Sequence, residues 1–131
     1  MKDSKYYTLA DAQAANGAGN NVFVDDFMNK EITITADNSF AGVIKCVGCT
    51  TKESADFGSA AANDNEWFYQ QIKEKDDDNN VNGSTGITYT GAEDGVRGFR
   101  INDDAITYLN FVVSGYAAGD VTVKVKASNN S

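Results

Sequence analysis

The chain contains no histidine and no proline, and only two cysteines. Without histidine it lacks the commonest general base, the usual metal ligand and the ordinary pH switch, so catalysis would have to rest on carboxylates or lysine. Average usage predicts about six or seven prolines in this length. Their absence leaves turn formation to the 12 glycines and 14 asparagines, both of which tolerate positive φ. There is no apolar run of the roughly 18 residues that a transmembrane helix needs. The opening Met1-Lys2-Asp3-Ser4-Lys5-Tyr6-Tyr7 has no apolar stretch like that of a secretory signal. Synthesis in a cytoplasm, with the protein at first remaining there, is therefore expected.

What is present fits one globular domain: 131 residues, 41% hydrophobic and 23% charged. Eleven basic against nineteen acidic side chains give a net charge of −8. That balance repels phosphate and argues against nucleic acid or an anionic membrane as partner.

Two segments alternate clearly with period two. Val121, Val123, Val125 and Ala127 share one face against Thr122, Lys124 and Lys126, and Ile32 and Ile34 alternate with Thr33 and Thr35 within Lys30–Ala36. Further runs are Asn21–Val24, Phe40–Val47, Glu66–Lys73, Gly86–Thr90, Val96–Asn102 and Thr107–Tyr116, each bounded by Gly, Asn or Asp. Parity points Phe99, Ile101, Leu109, Phe111 and Val113 inward. Eight such strands without βαβ alternation predict an all-β fold, an antiparallel β-sandwich that could be barrel-like, over residues 21–131.

Residues 1–20 read as an N-terminal arm. Thr8–Ala15 is Ala-rich and favours a helix, though too short to be stable alone. Asn16-Gly17-Ala18-Gly19-Asn20-Asn21 reads as a hinge that lets the arm lie on its own domain or reach another subunit. Residues 50–65 lack periodicity and read as a long surface connection, with room for one helical turn.

No nucleophile elbow, phosphate loop or dinucleotide fingerprint occurs, so a non-enzymatic role without a cofactor is expected. Cys46-Val47-Gly48-Cys49 could be a redox pair or half a metal site, but the remaining zinc ligands are missing and a strand would hold the two sulfurs about 10 Å apart. Two reduced thiols are expected, one in the core and one near a loop. Asp78, Asn80, Asn82 and Gly83 match the opening of a calcium loop, which makes Asp78, Asn80 and Asn82 the candidate ligands. The twelfth position, however, is Tyr89 where a bidentate Glu belongs, and a charged hairpin loop with an Asn-Gly turn, joining Glu66–Lys73 to Gly86–Thr90, accounts for the same residues. Asp25-Asp26, Glu93-Asp94 and Asp103-Asp104 read as solvated turn residues.

Alternation puts Phe68 opposite Trp67 and Tyr69, and Tyr108 and Val112 opposite Leu109, Phe111 and Val113. Some apolar side chains must therefore face outward. The residues expected to touch a partner are Tyr6, Tyr7 and Leu9 on the arm and Phe68, Tyr108 and Val112 on the strands.

The strings Gly17-Ala18-Gly19-Asn20-Asn21-Val22, Ala55-Asp56-Phe57-Gly58-Ser59-Ala60 and Asn65-Glu66-Trp67-Phe68-Tyr69-Gln70-Gln71-Ile72 occur in this order. Gly83-Ser84-Thr85-Gly86-Ile87, Asp94-Gly95-Val96-Arg97-Gly98-Phe99-Arg100-Ile101-Asn102 and Gly119-Asp120-Val121-Thr122-Val123-Lys124-Val125 follow. Over roughly residues 17–127 the chain resembles small β-rich virion proteins of tailed bacteriophages, of the capsid-decoration kind. Cys46, Cys49 and the acidic loop Glu74–Asn82 depart from the pattern. The resemblance implies a structural subunit made in the host cytoplasm, a homo-oligomer with a trimer favoured. It would bind the major capsid protein on the outer surface of the shell. The rival classes are a tail, fibre or connector subunit, and a sugar-binding sandwich with Trp67, Tyr69 or Tyr108 as stacking platforms.

Overall fold

A computed structural model describes residues 4–25, 27–50, 67–102 and 106–129. The strands are β1 (Ser4–Gln13), β2 (Gly17–Ala18), β3 (Val22–Phe23), β4 (Asn29–Cys49), β5 (Trp67–Tyr69), β6 (Ile72–Glu74), β7 (Asn80–Val81), β8 (Ile87–Thr90), β9 (Gly95–Asn102) and β10 (Tyr108–Ser128). They form one antiparallel sheet, not closed into a barrel, and the described residues contain no helix.

Two strands of 21 residues, β4 and β10, organise the sheet. They pair from Asn29 opposite Ser128 to Cys49 opposite Tyr108. Both bend midway. In β4 the bend lies at Asn38 and Ser39, whose φ values of 55° and 58° are left-handed. In β10 it lies between Ser114 and Asp120, where the register shifts and Gly115 and Gly119 also have positive φ. Gly119 is required there, since a Cβ would lie 2.5 Å from the Phe40 Cα.

The bend folds the sheet into two layers. The first contains β1, the C-terminal half of β10, the N-terminal half of β4, β9, β6 and β7, in that order. The second contains the other halves of β10 and β4, flanked by β2 and β3 on the β10 side and by β5 and β8 on the β4 side. Their inner faces meet in one core: Ile32, Ile34, Phe99, Val121, Val123 and Val125 from the first layer, Phe40, Ile44, Cys46, Ile87, Leu109, Phe111 and Val113 from the second. Burial of such apolar surface is the main favourable term in folding. An ion pair closes one side of this core. Arg97 donates through Nε and Nη2 to the Glu74 carboxylate, both at 2.8 Å, while its guanidinium lies over the Phe99 and Tyr89 rings.

All eight expected runs lie on strands, but Lys30–Ala36 and Phe40–Val47 are two halves of β4, and Thr107–Tyr116 and Val121–Ala127 two halves of β10. Glu66–Lys73, whose first residue lies outside the described ones, is interrupted instead: at Gln70 and Gln71 the chain leaves β4, which β5 pairs with, for β9, which β6 pairs with. The segment expected as a helix within an arm is β1, an edge strand of the domain. Thr8–Gln13 pairs with β10 through two register shifts, and Ala12, at φ 50°, donates its amide to Thr122 Oγ1. Tertiary pairing overrides the weak helix propensity of the alanines. The long connection expected at 50–65 falls almost wholly outside the described residues.

Candidate interaction surfaces

The outer face of the first layer obeys the alternation read from the sequence. Thr122, Lys124 and Lys126 on β10 stand opposite Thr35, Thr33 and Glu31 on β4, and these stand opposite Val96, Gly98 and Arg100 on β9. On the other side of β10, Thr8 meets Lys124 and Tyr6 meets Lys126. Tyr6 is 75% exposed, and the Lys126 ammonium lies 5.8 Å from its ring centroid. Tyr6, Tyr7, Thr8, Thr33, Lys124, Val125 and Lys126 line a shallow groove of about 500 Å³ on this side.

At the end of the second layer where β4 meets β5, both faces are apolar. Opposite the main core, Val47, Cys49, Trp67 and Val112 form a second buried cluster, with Ala18, Tyr69 and Tyr108 partly buried against it. Phe23 is the exposed rim of this cluster, edge-on to Tyr108 at 5.5 Å. The Lys45 ammonium lies 5.3 Å from the Tyr69 ring centroid.

The six residues expected to touch a partner thus separate. Tyr6 is exposed, and Tyr7 and Tyr108 are partly buried. Leu9 and Val112, each 1% exposed, are interior and offer no surface. Leu9 packs into the main core because the expected arm is part of the sheet. Phe68 packs against that core as well, so the outward side of β5 carries Trp67 and Tyr69. Alternation separates the two faces of a strand correctly but does not say which one a second layer will cover. Trp67, 2% exposed, presents no ring face for a sugar; Tyr69 and Tyr108 are half-buried. The pairing of β1 with β10, which sets Tyr6 beside Lys126, has no local signal in the sequence, because the paired residues are more than a hundred positions apart along the chain.

The acidic loop folds into two turns. Asp77 accepts from the Asn79 amide and side chain between β6 and β7, and Asp78 pairs with Arg100 at 2.5 Å. Asn80 belongs to β7 opposite Lys73, and Asn82 Oδ1 accepts from the Ser84 amide and hydroxyl and the Thr85 amide. Asp78 and Asn82 are thus engaged with protein partners, and no cluster of three metal-ligating acidic or cysteine side chains occurs among the described residues. The expected hairpin is also different: β6 pairs with β7 and β9, whereas β8 pairs with β4 in the other layer.

Other acidic residues act as caps. Glu93 accepts from the Thr90 amide and hydroxyl, both at 2.8 Å, which holds its carboxyl below the usual range. Asp94 accepts from the Ser39 amide at the bend of β4. Of the remaining acidic pairs, Asp26 and Asp103-Asp104 lie outside the described residues. Cys46 and Cys49 form no disulfide and are buried, one on each face of β4. Burial pushes the Cys46 thiol up to about 12, which suppresses its thiolate near neutrality. Between the layers, a gap of about 10 Å³ lined by Leu9, Ile44, Cys46 and Phe111 has room for about one water. An organic ligand takes about 300 Å³ or more.

No protein-family model matches the chain, and no curated protein matches it in sequence. The fold is nevertheless shared with two crystal structures. The SPBc2 prophage-derived protein YomS superposes with a TM-score of 0.69 at 16% identity, over 98% of this chain and 96% of that one. The PBSX exported protein XepA superposes with a TM-score of 0.65 at 10% identity, over 98% of this chain and 38% of that one. The chain thus corresponds to nearly all of the first, a prophage-derived protein, and to one part of the second, an exported protein.

Proposed function

We propose that the chain is a non-enzymatic structural protein of a bacteriophage particle. Within that class we assign it to the outer surface of the capsid, as a decoration (cement) protein that binds the major capsid protein and stabilises the shell. The likeness to YomS carries the phage assignment, since it extends over nearly the whole of both chains. The outer location is supported by the sequence resemblance and by the −8 charge, which would keep finished particles soluble and apart. In this role affinity comes from modest contacts repeated by symmetry, so the subunit acts as a homo-oligomer, with a trimer favoured. Assembly takes place in the host cytoplasm.

The test is quantitative mass spectrometry and cryo-electron microscopy of gradient-purified particles of the encoding phage. A copy number in fixed ratio to the major capsid protein, with density on the shell exterior, is the expected result. Copies in the single digits or low tens, at the tail or the connector, would shift the assignment to a tail, fibre or connector subunit. Absence from the particle would remove the virion role.

A further inference from the structure

We infer that the groove along β1 and β10 docks an acidic segment of a protein partner. The charges of this side are sorted along its length. At its Tyr6 end the outer face of the first layer, with the Lys75 and Asp78 side chains that pair onto it, carries the cations Lys73, Lys75, Arg100, Lys124 and Lys126 and the carboxylates Glu31 and Asp78, while toward the bend the same alternation places Asp37 opposite Asp120. At this end Glu31 is engaged with Lys75 at 2.6 Å and Asp78 with Arg100. Lys124 and Lys126 form no ion pair among the described residues. In a chain of net charge −8, this corner is cationic.

The geometry suits an extended peptide. Lys124 and Lys126 project from the same face two residues apart, a spacing of about 6.7 Å, and alternate side chains of an extended partner strand repeat at that distance. Thr8 and Thr33 make a low floor, and Tyr6, 75% exposed, supplies an aromatic wall that can take up apolar contact on binding. A phosphate polymer fits less well. Arg100, the guanidinium of this face, is already held by Asp78, and the overall negative charge repels a long polyanion. The identification of the partner as a shell subunit rests on the virion assignment; the binding chemistry of the groove does not.

The experiment has two arms. In the first, the isotope-labelled full chain is titrated with poly-L-glutamate at low salt and followed by amide NMR, with single-stranded DNA and polyphosphate in parallel. Shifts confined to residues 5–8, 33 and 124–126, fading as salt rises through about 0.15 M, are expected. No shift there, or tighter binding of the phosphate polymers at the same residues, overturns the proposal. Sedimentation that shows self-association through these residues, lost in K124E/K126E, overturns it in favour of a second copy.

The second arm adds wild type and K124E/K126E to particles stripped of the protein. Both lysines are exposed, so the variant should keep the wild-type circular dichroism. About tenfold weaker attachment is expected, and undiminished attachment overturns docking through this groove. Failure of the wild type itself to attach counts against the virion assignment alone, and the titration then decides whether the groove binds an acidic segment.

Discussion

The two halves of β4 and β10 are made of the same two strands yet are built differently. In the first layer every second residue is buried, as in Val121, Val123, Val125 and Ala127, and the alternate positions carry Thr and Lys. In the second layer Leu109–Val113 and Cys46–Cys49 are buried without a break. A sheet covered on one face alternates, whereas one covered on both reads as a continuous apolar run. The solvated face of the first layer is thus free to carry charge, while the buried outer cluster of the second is committed to stability.

The largest effect expected from this contrast is at Trp67. Truncation to alanine on the outer side of the second layer should cost about 4 kcal/mol, read as a lower urea midpoint with little change in slope. A cost near zero would show that the second cluster contributes no stability. The bend is next. Gly119→Ala forces a side chain into a left-handed conformation against the Phe40 backbone and should cost about 3 kcal/mol. If it is tolerated, the layers are not held by a tight fold of the ribbon.

Arg97→Ala removes a two-point bond to Glu74 and cover over Phe99, for about 2 kcal/mol. Hydrogen bonding to Arg97 lowers the Glu74 carboxyl in the folded state, so its contribution is fully present above the ordinary glutamate value near ~4.3 and is lost as pH falls through the depressed folded one. The stability gap between wild type and Glu74→Gln, measured by urea unfolding at several pH values, should therefore close on acidification. A gap that widened would reverse the sign of this coupling. The smallest effect belongs to the solvated face: Thr33→Ala should stay within about 0.5 kcal/mol. A larger loss would mean that the first layer is also covered.

Much of this was legible locally. Period-two alternation located the strands, and parity assigned Phe99, Ile101, Leu109, Phe111 and Val113 to the interior. Three things were not. Asp37-Asn38-Ser39 has the composition of a turn, and only the facing bulge of β10 lets the strand continue through it with positive φ. The alanines of residues 10–15 favour a helix until β10 offers a ladder. The side on which Phe68 lies depends on which face of β5 meets the other layer, a choice that alternation leaves open. On the groove, Lys124 and Lys126 were visible as an outward pair, but their neighbour Tyr6 comes from the far end of the chain.

The continuous β4–β10 ribbon also sets the pace of folding. Its two strands meet only after segments up to about a hundred residues apart have found each other, and such closures carry an entropy cost before any contact repays it. A chain of this topology belongs with the slow folders, on the scale of milliseconds to seconds, and its half-made edges stay open to neighbours for that long. In a crowded cell, acidic self-repulsion keeps those neighbours at a distance while the ribbon closes.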